Sequence, residues 1–174
     1  PDGMSRYDGY QFQTFSKFNN NVKQRNYSSI AQLISDNTHG QIWGFTPNNI
    51  LCCYDLEAAR FSDYFDLDAT TTLLSSRFQS SKGAWISSAD FGVRFIYVKE
   101  GKMQSIDFTP QNGKLLDTHK LNIQEDGKNN IWIASEKGVN LITPDFKSRV
   151  ILKNKKILVM TCEGSHIAVL TDQG

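Results

Sequence analysis

The segment NIWIASEKGVNLITP, residues 130–144, has a close copy elsewhere in this 174-residue chain. The copy is GAWISSADFGVRFIYV, residues 83–98, and a third version is GQIWGFTPNNILCCYD, residues 40–55. Each version places a Trp inside a short apolar run, follows it with a small polar loop, and then begins a second apolar run. Self-similarity at a period of roughly 40–50 residues indicates a repeat array.

Partial copies stand at both ends of the chain. SHIAVLTDQG, residues 165–174, has Ala168 in the Trp position, and DGMSRYDGYQF, residues 2–12, matches the portion that begins KGVNLITP. The recurring positions are Trp43, Trp85 and Trp132 in the first run and Gly92 and Gly138 before the second, where the third version has Asn49. We interpret these tryptophans and glycines as structural positions of the repeat.

The repeat at residues 115–153 shows the order of strands and turns within one repeat. LNIQE, residues 121–125, alternates apolar and polar residues as a strand with one buried face does, and DGKNN, residues 126–130, is rich in turn formers. Residues 131–135, 139–143 and 148–152 supply three further strands. Four short antiparallel strands per repeat are typical of a β-propeller blade. A helix is not supported, because no segment sustains apolar residues at i, i+3, i+4 and i+7.

The sequence therefore predicts an all-β fold of β-propeller blades, each with four antiparallel strands, amounting to about four blades' worth of chain. The predicted β-propeller segment covers residues 1–174: half-blade 1–18, blade 27–66, blade 69–109, blade 115–153 and half-blade 156–174. Because a large aromatic side chain removes much apolar area from water, we expect each Trp to fill the space between successive blades.

These segments resemble the two-component regulator propeller repeat. The resemblance lies in IAQLISDNTHGQIWGFTPNNILCCYD, LNIQEDGKNNIWIASEKGVNLITPD and GMSRYDGYQFQTF. The usual form of that repeat is a strand, an Asp-rich turn with Gly, lWigT, a polar residue with Gly-Leu, and yryd. The repeat at residues 69–109 departs from it because FQSSKG has no acidic residue in the turn, and the last partial copy lacks the Trp.

The resemblance implies a periplasmic sensor region of a hybrid two-component histidine kinase. In that family seven-bladed propellers precede a small β-sandwich, a membrane span and cytoplasmic kinase and regulator modules. The chain would then be an excerpt of a seven-bladed propeller in a receptor anchored in the inner membrane, with the rest of that propeller and a second receptor subunit as partners. Strand counting leaves two alternatives open: a four-bladed ring closed by the terminal half-blades, and closure through a second chain.

Composition excludes several classes of function. The formal net charge is +1, with acidic and basic residues interspersed, so no electrostatic footprint for nucleic acid is present. No stretch approaches the roughly 20 apolar residues of a membrane-spanning helix, so this segment is not expected to insert directly into a membrane. The chain lacks a phosphate-binding Gly-rich loop, a G-x-S-x-G motif and an H-E-x-x-H motif. We therefore predict no enzymatic activity and no cofactor for this segment.

No metal site is predicted either. Cys52, Cys53 and Cys162 show no CxxC spacing, and the three histidines are scattered. The acidic run DYFDLDAT, residues 63–70, lacks the Gly and the distal Glu of a loop calcium site. Because adjacent residues of a strand point to opposite faces, we expect one of Cys52 and Cys53 in the core and the other exposed.

The candidate ligand face follows from blade topology. Loops that join second to third strands lie on the same face as the blade-to-blade connections. The residues predicted on that face are Asn48, Asn49, Asp90, Phe91, Arg94, Glu136, Lys137 and Gln173. An aromatic residue in a polar loop, such as Phe91, suits stacking on a sugar ring, and the planar fork of Arg94 suits a sugar acid or sulfate. The alternative is that these residues were selected only for turn geometry.

Three functions remain open on the sequence alone. The first is a sensor segment that binds a glycan-derived oligosaccharide and signals across the membrane to control transcription. The second is a propeller scaffold for protein–protein contacts, and the third is a carbohydrate-active propeller enzyme. An enzyme needs paired carboxylates at matching positions of the blades, and the loops SADFG, SEKG and TPNN do not repeat an acid. The resemblance to the two-component regulator repeat favours the sensor over the scaffold, and the absence of a repeated acid makes the enzyme the least favoured of the three.

Overall fold

The computed structural model describes residues 4–15, 32–36, 39–46, 50–67, 73–77 and 83–173. The described residues form sixteen strands and no helix, so the all-β prediction is confirmed. No segment among them is therefore a candidate for a membrane-spanning helix. The chain divides into two compact units, Pro1–Ala69 and Thr70–Gly174, and each is treated by itself below.

The first unit contains a two-stranded and a four-stranded antiparallel sheet. β1 (Met4–Tyr7) pairs with β2 (Phe12–Phe15). The larger sheet, blade one, has the strand order β3-β4-β5-β6. Its strands are β3 (Gln32–Asp36), β4 (Gln41–Phe45), β5 (Ile50–Asp55) and β6 (Arg60–Asp66). Strands that follow one another in the chain lie side by side in the sheet, which is the meander predicted for a blade.

The second unit contains two four-stranded meanders and a hairpin. Blade two consists of β7 (Leu73–Arg77), β8 (Gly83–Ser88), β9 (Gly92–Lys99) and β10 (Lys102–Phe108). Blade three consists of β11 (Asn122–Glu125), β12 (Ile131–Ser135), β13 (Gly138–Ile142) and β14 (Ser148–Lys153). The terminal hairpin consists of β15 (Ile157–Glu163) and β16 (His166–Thr171).

The three tryptophans occupy equivalent positions on the second strand of their blades. Trp43 on β4 lies opposite Cys53 of β5, Trp85 on β8 lies opposite Phe95 of β9, and Trp132 on β12 lies opposite Leu141 of β13. Trp43 and Trp85 are buried and Trp132 is half-buried. The repeat read from the sequence is thus a repeat of structure.

Blades two and three pack face to face through an apolar layer. Trp85, Phe95 and Phe108 of blade two belong to one buried cluster with Ile123, Ile131, Ile133 and Ile142 of blade three. The opposite face of blade three carries Trp132 and Val139, which pack with Ile157 and Met160 of the terminal hairpin. Since side chains alternate between the faces of a strand, consecutive residues of β12 contact different neighbouring sheets. The predicted Trp-filled space between blades is confirmed for Trp85 and Trp132.

Two glycines begin the third strands of blades two and three for a steric reason. A Cβ on Gly138, where φ is 138°, would lie 2.0 Å from the carbonyl oxygen of Leu152. A Cβ on Gly92, where φ is 85°, would lie 2.7 Å from the carbonyl oxygen of Phe108. Both contacts are with backbone atoms of the adjacent strand, so no side chain can be accommodated without moving a strand.

The expected difference between Cys52 and Cys53 is wrong. Both thiols are buried, with exposures of 1% and 0%. β5 is an interior strand of its sheet, and five of its six successive residues are buried. These five include residues on both faces of the sheet. The alternation rule places the two side chains on opposite faces correctly, but it exposes one of them only where a face meets solvent. Burial raises the pKa of Cys52 to about 12.

Candidate functional site

The predicted ligand face is built from turns and blade connections of the second unit. The turn between β8 and β9 packs against the connection that follows β10, since the Cβ position of Gly92 lies 3.3 Å from Leu115 Cδ1. In blade three, the Glu136 N–H donates to the carbonyl oxygen of His119, 3.4 Å away. The turns between second and third strands therefore share a face with the connection between blades two and three.

A buried amide fixes that connection against blade three. Asn140 on β13 is 3% exposed. Its Oδ1 accepts a hydrogen bond from the Leu116 N–H at 3.0 Å, and its Nδ2 donates to the carbonyl oxygen of Lys114 at 3.4 Å. A buried amide must have its donors and acceptors satisfied, so the backbone at residues 114–116 is held in place. The charged residues that follow in the connection are positioned as a result.

Blade two contributes an aromatic–arginine pair to this face. The guanidinium carbon of Arg94 lies 4.5 Å from the centre of the half-buried Phe91 ring. Arg94 also makes a bidentate ion pair with Asp107 of β10, with Nε–Oδ1 and Nη2–Oδ2 distances of 2.6 and 2.9 Å. The donor fork that the sequence offered to a sugar acid is therefore occupied by Asp107, and one face of the Phe91 ring is covered by the guanidinium.

Asp90 takes part in the same turn through its own backbone. The Ser88 hydroxyl donates to Asp90 Oδ2 at 3.0 Å, and the Asp90 N–H lies 3.1 Å from the same hydroxyl oxygen. These bonds are those of a serine-stabilised turn, so Asp90 contributes to loop geometry. Its exposed carboxylate stays on the surface beside Phe91.

Blade three contributes a network of charged side chains, which we term the Glu136 cluster. Glu136 Oε1 lies 2.8 Å from Lys120 Nζ and 4.0 Å from Lys156 Nζ. Asp117, which is buried, lies 2.9 Å from His119 Nδ1 and 3.9 Å from Lys137 Nζ. The members of the Glu136 cluster are Asp117, His119, Lys120, Glu136, Lys137 and Lys156. Three ammonium groups and two carboxylates meet here, so the cluster is cationic overall.

The charges of the cluster hold both of its acids ionised. The hydrogen bond and charge of Lys120 lower the pKa of Glu136 below its usual range. Burial disfavours the charged form of Asp117, but hydrogen bonds from His119 and the Thr118 backbone and the charge of Lys137 outweigh it and lower the pKa of Asp117. Both acids are therefore fixed anions at neutral pH, and the lysines are the groups left for an anionic or hydroxyl-rich ligand.

Gln173 lies next to the Glu136 cluster. Lys155 Nζ donates to the side-chain oxygen of Gln173, and the Asp172 N–H donates to the carbonyl oxygen of Lys156 at 3.1 Å. The Asn154 N–H in turn donates to the carbonyl oxygen of Lys137 at 2.9 Å. The structure thus brings together Glu136, Lys137 and Gln173 through residues 154–156.

The remaining predicted residues are divided between other locations. Asp90, Phe91 and Arg94 form the separate group on blade two. Asn48 and Asn49 lie outside the described residues. Within the part of the chain that the structure describes, no three His, Cys, Asp or Glu side chains come together as a metal-binding group.

Sequence reasoning missed Asp107 on β10 and the residues of the blade connections, namely Asp117, His119, Lys120, Lys155 and Lys156. Blade topology predicts that the connections lie on this face, but it does not predict which of their side chains meet there. The hairpin signal KEGK, residues 99–102, contains the information for one of them. Counting back from Lys99 opposite Lys102 puts Asp107 opposite Arg94, as observed.

Comparisons with known proteins support the fold. No protein-family model and no curated protein matches the sequence. Solved structures do match. An extracellular domain assigned to the hybrid two component system BT4673 of B. thetaiotaomicron superposes with a TM-score of 0.53 and 19% identity over 98% of this chain. The corresponding domain assigned to BT3049 gives 0.51 and 17% over 92%.

A third similar structure is PorZ, a bacterial surface component of the type-IX secretion system of Porphyromonas gingivalis. It superposes with a TM-score of 0.57 and 13% identity over 98% of this chain. This chain spans 23% of each of the two B. thetaiotaomicron chains and 28% of PorZ. At these identities the likeness concerns the fold, and the fold is that of consecutive β-propeller blades.

Proposed function

We propose that this chain is an extracytoplasmic ligand-sensing propeller segment of a hybrid two-component sensor histidine kinase. The observation that carries the proposal is the repeat itself: Trp85 and Trp132, with Gly92 and Gly138, recur at equivalent positions of adjacent blades. That pattern resembles the two-component regulator propeller repeat, and two of the similar folds are extracellular domains assigned to hybrid two component systems.

The ligand in this proposal is a glycan-derived oligosaccharide. Its site is the face formed by the Glu136 cluster together with Gln173, where ammonium and amide groups are available to sugar hydroxyls and carboxylates. Binding shifts the receptor between two states only if the ligand has different affinities for them. The parent protein would sit in the inner membrane, with this segment in the periplasm and a second subunit completing a homodimer. Its output would be a phosphorelay that controls transcription.

A panel of oligosaccharides tests the proposal. The panel includes neutral and acidic members. Binding is measured by calorimetry with the 174-residue chain and with the intact receptor. The Lys137→Ala variant is expected to weaken binding of the best ligand about fivefold, since it removes one charged hydrogen-bond donor. Lys128→Ala is the matched control, because Lys128 is an exposed lysine of the turn between β11 and β12 at the other end of blade three.

The transcriptional arm tests the sensor role separately. Deletion of the gene should abolish the induction of the genes that respond to the bound oligosaccharide, measured as transcript abundance. Binding without any transcriptional change in the deletion strain would favour the scaffold alternative. Absence of binding by every member of the panel to the intact receptor would overturn the oligosaccharide assignment.

A further inference from the structure

Blades two and three line a cavity that is not part of the face described above. Its volume is about 530 Å³, within the range of roughly 300–1,000 Å³ common for small-molecule sites. It opens toward the hairpin turn of β9 and β10 and the turns at residues 126–130 and 143–147. These turns lie at the ends of the strands opposite to the Glu136 cluster. We term this cavity the inter-blade cleft.

The cleft exists because one hairpin is longer than its counterpart. β9 has eight residues and β13, the equivalent strand of blade three, has five. Gly92 and Gly138 align, so β13 ends at the residue equivalent to Ile96, and Tyr97, Val98 and Lys99 extend beyond it. Tyr97 and Val98 are half-buried. The extension leaves one wall of the cleft without a strand opposite it.

The wall is a row of aromatic rings. The centroids of Phe95 and Tyr97 lie 5.6 Å apart at an interplanar angle of 14°, and the centroids of Trp85 and Phe95 lie 4.8 Å apart. Phe146, from the turn after β13, reaches across to Phe95 at 5.1 Å. Phe146 and Tyr97 both line the cleft, with Pro144 beside them. The cleft is therefore lined by aromatic rings from both blades, with which a planar ring can stack, since aromatic groups prefer stacked or tilted contacts.

A glycine keeps the row in place. Gly83 lies opposite Tyr97 in the register of β8 and β9. A Cβ at residue 83 would lie 2.9 Å from two ring carbons of Phe95 and 2.1 Å from the carbonyl oxygen of Ile96. The Phe95 ring therefore occupies the space over Gly83, and any larger residue would displace it from the wall.

The polar groups at the rim favour an anion over a sugar. Of the eleven described residues that line the cleft, eight are apolar or aromatic. The remaining three polar residues are too few to satisfy the hydroxyls of a saccharide. The Thr143 hydroxyl is bonded to Asp145 and the Lys147 carbonyl. Lys99 carries the one charge among those described lining residues.

The hairpin end gives a second reason for an anion. Lys99 lies directly opposite Lys102, with Glu100 in the turn between them. Like charges directly opposite on paired strands repel. An anion bound at the mouth of the cleft would reduce this repulsion while its apolar body remains among the rings.

We propose that the inter-blade cleft is a binding site for a planar aromatic carboxylate, with its ring between Tyr97 and Phe146 and its carboxylate at Lys99. The site is independent of the sensor role proposed above, because it depends only on the packing of blades two and three. Its ligand class also differs from an oligosaccharide, because the apolar lining requires a ring whose faces carry no hydroxyl groups.

The test uses 2-naphthoate and its neutral isostere 2-naphthamide as probes. Binding to the chain is measured by calorimetry and by chemical-shift changes of the amides of residues 95–99 and 143–146. Phe146→Ala is expected to weaken 2-naphthoate binding about tenfold, because a half-buried stacking ring is lost. Phe146→Leu keeps an apolar side chain at that position and should still weaken it, which separates loss of stacking from loss of folding. Tyr10→Ala is the matched control, since Tyr10 lies in the exposed turn between β1 and β2.

The charge is tested with the second probe. Lys99→Gln is expected to weaken 2-naphthoate about threefold and to leave 2-naphthamide unchanged, in keeping with an exposed ion pair. The proposal is overturned if 2-naphthoate does not bind at millimolar concentration, if Phe146→Ala and Phe146→Leu both leave its affinity unchanged, or if the amide binds as tightly as the carboxylate.

Discussion

The indole N–H of Trp132 donates a hydrogen bond to Oδ2 of Asp126, 2.9 Å away, so the repeat Trp is tied to the acidic turn that precedes it. The same carboxylate accepts the Lys128 and Asn130 backbone N–H groups and the Asn130 side-chain amide, at 2.8–2.9 Å. Asp126 is 7% exposed. One buried carboxylate therefore organises the entire turn between β11 and β12.

Asp126→Asn is expected to lower the free energy of unfolding by about 1–3 kcal/mol, the cost of leaving buried donors without an acceptor. The introduced amide would place an N–H group against either the Asn130 side chain and Trp132 or the two backbone donors. Urea denaturation followed by tryptophan fluorescence measures the loss. Asp172→Asn is the control, because Asp172 is exposed. Equal stability of the two variants would contradict the proposed role of Asp126.

The pH dependence of stability should show the same carboxylate. Burial disfavours its charged form, but hydrogen bonds from Trp132 and Asn130 outweigh burial and lower the pKa of Asp126 from its usual 3.8. Because the pKa of Asp126 is lower in the folded state, the unfolded chain binds more protons than the folded one as pH falls through this range. The contribution of Asp126 to the free energy of unfolding is therefore fully present above about pH 4 and is lost below it.

The measurement is the urea midpoint between pH 2.5 and 6 for the native sequence and Asp126→Asn. We expect the native midpoint to fall more steeply below pH 4 than that of the variant. Asp117, whose pKa is also lowered, keeps part of the slope in both proteins. Parallel profiles would show that Asp126 is not a source of the pH dependence.

Comparison of two glycines with positive φ distinguishes the stability cost of an unfavourable backbone conformation from the cost of steric crowding. Gly138→Ala is expected to cost about 3 kcal/mol or more, since its Cβ would lie 2.0 Å from the Leu152 carbonyl oxygen. Gly101→Ala, at φ 75° with open space around it, should cost about 1 kcal/mol. Thermal unfolding by circular dichroism compares them. A cost for Gly101→Ala as large as that for Gly138→Ala would mean that conformation alone, and not the adjacent strand, excludes a side chain.

The two tryptophans of the second unit are expected to differ in energetic weight. Trp85 is 2% exposed and belongs to the layer between blades two and three, so Trp85→Ala should cost about 3–5 kcal/mol. Trp132 is half-buried, and Trp132→Ala should cost less by about 1 kcal/mol, because less apolar area returns to water. Guanidinium denaturation gives both values. The reverse order would indicate that the hydrogen bond to Asp126 outweighs apolar burial.

Phe91→Ala in the intact receptor tests the blade-two group of the predicted ligand face. The change removes the ring beneath the Arg94 guanidinium, so the free energy of unfolding should fall by about 0.5–1 kcal/mol, as for an exposed cation–π contact. Because this group shares a face with the connection that carries Asp117, His119 and Lys120, we expect oligosaccharide affinity to fall while the protein remains folded. Unchanged calorimetric affinity would remove Phe91 from the predicted ligand contacts, and its role would then be that of a support for Arg94.

The regular strands were predictable because their signals are local. β12 begins and ends where the sequence places it, and the ends of β11, β13 and β14 lie within one residue of their predicted positions, since turn formers and apolar runs delimit each strand. The Arg94–Asp107 pair was within reach of the same reasoning, because hairpin register follows from its turn. Asp117 and Lys120 were not, since their positions depend on how the connection after β10 crosses to blade three. The burial of both Cys52 and Cys53 depends likewise on what covers each face of the sheet.

The contact of Trp85 with Phe146 joins the second strand of one blade to a turn of the next. A substitution of either residue is therefore best compensated by a change in the neighbouring blade and not in its own. Among relatives of this protein, correlated changes should link positions in adjacent repeats, and a blade transplanted alone into another array would bring only half of each matched pair. The evolutionary unit of such a chain is thus the junction between two sheets, and the order of the sheets along the chain is part of what is inherited.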